Sequence, residues 1–414
     1  MDTTICIISH LRQRQNHVPQ KVKHRAEEPL AAVEVEGERK VYITVNHICQ
    51  SPGIFLVGCI DLSKLKMASN YTTPESLTAL CKIDAEIELL LSTSPPSPMT
   101  NISTRRMNAF HATNMLSIIG NVEQSQVRRI PMRDGYENEI RTYGPKTGKS
   151  FETVPLFILI CGGAFVNADN KQLNPYACAI SSIYGATVVL ISYRCAPKFQ
   201  FPFAANDTWD SLEWIARHAS TLGANPMAGF VLGGVSAGAN LAAVTCQKSV
   251  SEKFSPPLTG LWLGLPFILD EDIVPHEYKS LFLSRQDNQD APLLNSAMIR
   301  DAYDQAGFDI YSSKFSPFNA TNPHIGMPPT YIQVCGLDPL RDDGLIYERA
   351  LRENGVSTRM SVYSGVPHGH YSAWPHATTS RKWEFDVVSS AGWLLGTPAD
   401  PACIILALDG RYGC

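Results

Sequence analysis

Short apolar runs and longer helical patterns alternate along most of this chain. Residues 155–161, Pro155-Leu156-Phe157-Ile158-Leu159-Ile160-Cys161, are continuously apolar, as a strand buried on both faces requires. Comparable runs recur at 186–193, 230–233, 261–269, 331–335 and 360–363. Between them the spacing becomes helical, at 176–184, 206–220, 344–354 and 383–395. In the second of these, Trp209, Leu212 and Ile215 share one side. Residues 127–132 and 140–143 flank Asp134-Gly135 and read as an antiparallel pair. The alternation predicts an α/β fold, with a mostly parallel sheet and helices on both faces.

The alternation fails in four places. Residues 270–307 carry Tyr278, Leu281, Phe282 and Leu293, with a helix capped near Ser296. An insertion at the C-terminal edge of a sheet is where a binding wall belongs. Upstream, 83–91 reads as a helix with Asp84 as N-cap and acidic residues in its first turn. Ser94-Pro95-Pro96-Ser97-Pro98 ends it, and Met107, Phe110, Met115 and Ile118 mark a second amphipathic helix over 103–119. Residues 76–125 are therefore expected as cap helices, and 126–396 as the main domain. Residues 1–75 run from basic (Arg12, Arg14, Lys21, Lys23, Arg25) to acidic (Glu27, Glu28, Glu34, Glu36, Glu38). Strands at 41–45 and 54–60 have no evident partners, so this part reads as a disordered or adventitious extension, with Met67-Ala68-Ser69 as an alternative start. Residues 397–414 read as a tail.

Composition narrows the function. The 414 residues are 44% hydrophobic and 18% charged, which is ordinary for a globular protein. A net charge of −4 argues against nucleic-acid binding. The 11 cysteines include no C-x-x-C pair and read as reduced, mostly buried thiols. No run approaches the roughly 20 apolar residues of a membrane span. Residues 4–9 are too short for a signal-peptide core, and Asp2 stands where a basic leader would be. The expectation is a soluble, cytoplasmic protein.

The candidate chemistry centres on Gly234-Val235-Ser236-Ala237-Gly238, which joins an apolar strand to an alanine-rich helix. A serine in such a turn presents its Oγ at the sheet end, above a helix N-terminus. It needs a base, and the base needs an orienting acid. Of the histidines after it, His368 follows the last strand in Gly365-Val366-Pro367-His368-Gly369-His370. His370 is its rival and otherwise lines the pocket; His276 and His324 suit solvated or capping roles. Asp338 directly follows the strand at 331–335, whereas Asp342 and Asp343 suit capping of the next helix. An oxyanion hole needs backbone N–H groups, one from Ala237 and others from a loop after an early strand. Cys161-Gly162-Gly163-Ala164-Phe165 occupies that place.

These pieces together resemble the hormone-sensitive-lipase family of alpha/beta hydrolases, especially its fungal esterase-like members, over about residues 80–396. Cys161-Gly162-Gly163-Ala164-Phe165 is similar to a His-Gly-Gly-Gly-Phe motif, and Tyr193-Arg194-Cys195-Ala196-Pro197 to Tyr-Arg-Leu-Ala-Pro. Phe201-Pro202-Phe203-Ala204-Ala205, the serine turn, Asp338-Pro339-Leu340-Arg341-Asp342 and Pro367-His368-Gly369 follow in order. The resemblance implies a triad of Ser236, Asp338 and His368, with Gly163, Ala164 and Ala237 donating to the oxyanion. Cys161, Ala164, Val235 and Ala239 depart from the family's histidine, glycine, aspartate and glycine; alanine keeps its N–H, so the hole can survive. The implied fold is an alpha/beta hydrolase with a helical cap. The implied function is a serine carboxylesterase, without cofactor or metal, acting on a short-acyl small-molecule ester such as a secondary-metabolite ester. The alternatives are a non-catalytic receptor on this fold and an amidase or lactonase using the same triad.

Overall fold

The structure, a computed structural model, describes residues 71–96, 125–145 and 150–409, with the backbone of four short strands ahead of them. These four are Thr4–Cys6 (β1), Ala32–Val35 (β2), Glu38–Tyr42 (β3) and Ile60–Asp61 (β4). They pair in the order β2-β3-β1-β4 within one compact unit, residues 1–66. Here β3 starts earlier than the expected strand at 41–45, and its neighbours are β2 and β1. The helix expected at 103–119 lies outside the described residues.

Residues 67–414 form the second unit. Among the described residues its eight strands are Gln126–Pro131 (β5), Glu137–Tyr143 (β6), Leu156–Ile160 (β7), Thr187–Ile191 (β8), Phe230–Val235 (β9), Gly260–Gly264 (β10), Thr330–Leu337 (β11) and Thr358–Pro367 (β12). The sheet order is β12-β11-β10-β9-β7-β8-β6-β5. Only β6 runs against its neighbours β5 and β8; the other pairs are parallel.

Period-two alternation divides each strand between two cores. On β7, Leu156, Ile158 and Ile160 enter one cluster, and Phe157 and Leu159 the other. On β10, Leu261 and Leu263 point one way and Trp262 the other. Helices Phe203–Arg217, Ala237–Ser251 and Arg341–Glu353 cover the first face, through residues such as Leu212, Leu241 and Ile346. Asn174–Tyr184 and Thr378–Leu394 cover the second, through Tyr176, Ile180 and Trp383. Burial on both sides is why these strands read as unbroken apolar runs. Asp84 caps Ala85–Thr93 as expected, its carboxylate accepting from the N–H groups of Glu86 and Ile87.

The Tyr193–Pro197 motif proves to be scaffold. Arg194 is buried, with its guanidinium 2.6 Å from both Asp207 and Asp134. This ties the segment after β8 to helix Phe203–Arg217 and to the β5–β6 turn.

Two boundaries differ from the sequence reading. The strand expected over 261–269 stops at Gly264, and Leu265 turns away with φ 51°. The apolar residues beyond it are buried without a ladder, because the N–H groups of Ile268 and Leu269 donate to the Asp343 carboxylate, each at 2.9 Å. The insertion so begins at Leu265 and lasts until β11, and its helix Ser296–Ala306 is capped by Asn295. The expected C-terminal tail contains the helix Pro401–Leu408, capped by Asp400. Ile404, Ala407 and Leu408 bury against the second face, which gives so short a helix the tertiary packing it needs.

Candidate active site

Strand β9 passes into helix Ala237–Ser251 through Ser236 alone, with φ 56° and ψ −120° at the serine. A positive φ is unfavourable for a non-glycine residue and persists only where the surroundings enforce it. Here they do. A Cβ at Gly234 would lie 2.3 Å from the Gly238 carbonyl oxygen, and one at Gly238 would lie 2.2 Å from that of Ile160. The Ser236 N–H donates to the Gly264 carbonyl at 2.7 Å. The hydroxyl stands at the helix N-terminus.

Strand register brings the other two residues there. Val235, Gly264 and Gln333 lie in one row across β9, β10 and β11. Strand β11 continues to Leu337, which pairs with Pro367 of β12 after a bulge. Asp338 and His368 are the next residues of those strands, so they leave the sheet side by side. His368 Nδ1 lies 2.8 Å from Asp338 Oδ2, and His368 Nε2 lies 3.0 Å from Ser236 Oγ. Asp338 and His368 are each 1% exposed and Ser236 7%. With Nδ1–H donating to the carboxylate, Nε2 is left to accept the serine proton. Asp338 is fixed in turn: Oδ1 accepts the Leu340 N–H at 2.8 Å, and its carbonyl accepts from Asn288 Nδ2 at 2.9 Å.

The rival residues do other work, and three expectations are corrected, for Asp342 and Asp343, for His370 and for His324. Asp342 and Asp343 lie in the first turn of helix Arg341–Glu353 but do not cap it. Asp342 accepts the Leu283 and Ser284 N–H groups at 2.7 and 2.6 Å and pairs with Arg341. Asp343 pairs with Arg285 at 2.9 Å, and burial pushes its carboxyl up to about 6. Both carboxylates reach into the insertion because it offers backbone donors with no ladder. His370 does not line a pocket. It is fully buried beside Tyr363, Tyr371 and Trp383, and burial lowers its pKa to about 4. His324 is also buried, between Phe318 and Tyr347, with its pKa lowered to about 4 by burial.

The loop after β7 lies against the serine turn. A Cβ at Gly162 would be 2.8 Å from the Val235 carbonyl oxygen and 3.1 Å from Ser236 Cβ. Gly163 has φ 133°, followed by Ala164 at 54° and Phe165 at 63°. The Gly163 carbonyl accepts the Val166 and Asn167 N–H groups at 3.0 and 2.9 Å, closing a tight turn. Cys161 and Val235, both 1% exposed, are core residues, and burial raises the Cys161 thiol. No polar side chain stands at either position. An apolar pocket opens beside the loop, lined by Phe165, Phe201, Asn240, Phe308 and Phe315, with Lys314 as its charged residue. Tyr278, expected as a wall, instead donates its hydroxyl to Glu353 at 2.6 Å. Phe110 and Met115 lie outside the described residues.

Sequence reasoning missed Asn288 and Gln172. Asn288 sits in the irregular insertion, where no period marks it. Gln172 lies ten residues after Gly162, and its side-chain Oε1 accepts the Gly162 N–H at 2.7 Å.

A doubly covered, mostly parallel sheet with a serine turn at its carboxyl edge defines the alpha/beta hydrolase class. Residues 157–372 match the family described as the alpha/beta hydrolase fold, and the chain belongs to that family. An AB hydrolase superfamily protein of Schizosaccharomyces pombe is 31% identical over 339 residues, 80% of this chain and 98% of that protein. A versiconal hemiacetal acetate esterase of Dothistroma septosporum is 26% identical over 58% of this chain and 74% of its own. The crystal structure of vibralactone cyclase superposes with TM-score 0.73 at 28% identity, covering 77% of this chain and 96% of that one. Among the described residues, no helix is long and apolar enough to cross a membrane, and no group of three or more His, Cys, Asp or Glu side chains could hold a metal ion.

Proposed function

We propose that the protein is a serine carboxylesterase acting on a small-molecule ester with a short acyl group. The line Asp338–His368–Ser236, with contacts of 2.8 and 3.0 Å, carries this reading. In it, His368 takes the Ser236 proton as Oγ attacks the ester carbonyl. The carbonyl oxygen becomes an oxyanion held by the N–H groups of Gly163, Ala164 and Ala237. Collapse expels the alcohol, which receives the proton from His368 and leaves an acyl-serine. Water, deprotonated by His368, then releases the acid and restores the serine. Asp338 holds the imidazole tautomer and stabilises the imidazolium.

The short acyl group is supported by the acetate ester named for one relative, and the aromatic pocket beside Phe165 offers an apolar surface next to the oxyanion loop. A secondary-metabolite ester is the substrate class this suggests. The test is labelling of Ser236 by a fluorophosphonate, followed by turnover of aryl acetate, butyrate and longer esters. Labelling and fastest turnover on the short esters are expected. An unlabelled serine would sink the reading and leave the receptor alternative, whereas faster turnover on emulsified long-chain lipid would overturn only the acyl preference.

A further inference from the structure

We propose that Gln172 is the positioning residue of the oxyanion loop: its side-chain carbonyl holds the Gly162 N–H and thereby aims the Gly163 and Ala164 N–H groups over Ser236. The proposal rests on the reading of Ser236 as a nucleophile. Because the Gly162 N–H can only donate, the Gln172 atom facing it at 2.7 Å is the amide oxygen. The loop needs such a brace. Gly162, Gly163 and Ala164 carry no side chain long enough to anchor them, and the Cys161 thiol is committed to the core. Three successive positive φ values follow at Gly163, Ala164 and Phe165. That backbone holds only where its surroundings over-determine it.

Gln172 is itself held firmly. Its short turn, Asn170–Leu173, is capped by Asp169, whose carboxylate accepts the Lys171 N–H at 2.9 Å. On one side of Gln172, the Asn170 amide donates to Ser192 Oγ at 2.9 Å and to Glu139 Oε1 at 3.2 Å. On the other, Leu173 is 1% exposed in the second core. Through Asn170, the turn that carries Gln172 is tied to β6 and to the segment after β8. Gln172 stands eleven residues after Cys161, so this contact joins the loop to a separate turn of the chain.

The positions of oxyanion donors matter within tenths of an ångström, and losing one donor costs about 10²–10³ in kcat. Loosening the loop without deleting a donor should cost less, roughly 10–100-fold in kcat, with KM nearly unchanged. The experiment compares the full chain with Gln172→Met, which keeps the shape without the acceptor, and with Gln172→Glu, which keeps an acceptor. Hydrogen exchange at the Gly162 amide should speed up in Gln172→Met and stay slow in Gln172→Glu. On paired aryl oxoesters and thionoesters, Gln172→Met should lose more on the oxoester, because sulfur is the poorer acceptor. Gln172→Glu should recover part of kcat, its negative charge opposing the oxyanion. Equal losses on both esters together with a lower Tm would reduce Gln172 to a structural residue and overturn the proposal. Faster Gly162 exchange at unchanged kcat would overturn it as well. If the wild-type chain fails to label with fluorophosphonate, the esterase reading falls; unchanged Gly162 exchange in Gln172→Met is instead the failure of the brace.

Discussion

The carboxyl ends of β9, β11 and β12 and the segment between β10 and β11 meet at Asp338, and they are built by opposite rules. At the strand ends, local geometry decides. Ser236 follows β9, Asp338 follows β11 and His368 follows β12, so strand register alone brings the three together. The segment from Leu265 onward has no strand until Thr330 and is held from outside. Asp342 and Asp343 each receive two of its backbone N–H groups, with Arg341 and Arg285 balancing their charge. The three strand-end residues are placed by the sheet, whereas the insertion has no ladder to place it. The wall's stability then depends on buried charges.

Substitutions at the strand ends should have the largest effect and should fall on kcat. Ser236→Ala should abolish acyl-enzyme formation, and His368→Ala should be about as severe. Asp338→Asn should cost on the order of 10⁴ in kcat through the wrong histidine tautomer. The double change Ser236→Ala with His368→Ala should be no worse than either alone, since the residues act as one unit. Steady-state kcat on a dissolved aryl acetate, with each variant's fold checked by its Tm, measures all four. If Asp342→Asn were crippled in kcat while Asp338→Asn stayed near wild type, the acid would be misassigned.

In the second region the same kind of change should fall on stability instead. Arg285→Met leaves the Asp343 carboxylate buried without its cation, a situation that costs about 3–5 kcal/mol. Asp342→Asn keeps one acceptor oxygen for the Leu283 and Ser284 N–H groups and should cost less. Thermal unfolding should drop clearly for Arg285→Met, while kcat of the folded fraction falls far less than in Asp338→Asn. A Tm unchanged by Arg285→Met would remove the claim that buried ion pairs carry this segment.

This division also explains what could be read in the sequence. The strands, and the positions of Ser236, Asp338 and His368 directly after three of them, were legible, because period-two burial and strand-to-loop transitions leave local marks. The insertion was legible only as an interruption. Asp342 and Asp343 resemble helix caps in sequence, since acidic residues in a first turn look alike whether they face their own helix or another loop. His370 lies two residues beyond His368 but turns into the aromatic core with Trp383. Only the αL conformation of Gly369, φ 76°, separates their directions. The helix Pro401–Leu408 was missed because its pattern is apolar throughout, with no polar face to give it a period.

Buried histidines give a smaller effect, which distinguishes core from site by pH. In the unfolded chain His324 and His370 take up a proton near pH 6.5, but in the folded chain only near 4. Between those values the unfolded state binds more protons, so stability falls as pH falls from about 6.5 to about 4. Each residue contributes up to about 3 kcal/mol of this loss by linkage. His370→Phe should flatten the acid side of a stability–pH curve from urea unfolding and should leave kcat at pH 8 close to wild type. An unchanged acid slope in that variant would mean that His370 does not titrate as a buried neutral ring; a collapse of kcat would return it to the site.

The smallest expected effect comes from removing residues 1–66. Among the described residues, the buried cores begin at Leu77, and every hydrogen bond that supports Ser236, Asp338, His368 and Gly162 comes from residues beyond it. The first 66 residues form a separate compact unit with a sheet of its own. A chain that begins at Met67 should therefore unfold at the same Tm and turn over an aryl acetate at the same kcat as the full chain. Both are measured on purified protein, side by side. If the shortened chain is insoluble or shows no cooperative transition, residues 1–66 belong to the folding unit that carries the site, and the boundary at Met67 is wrong.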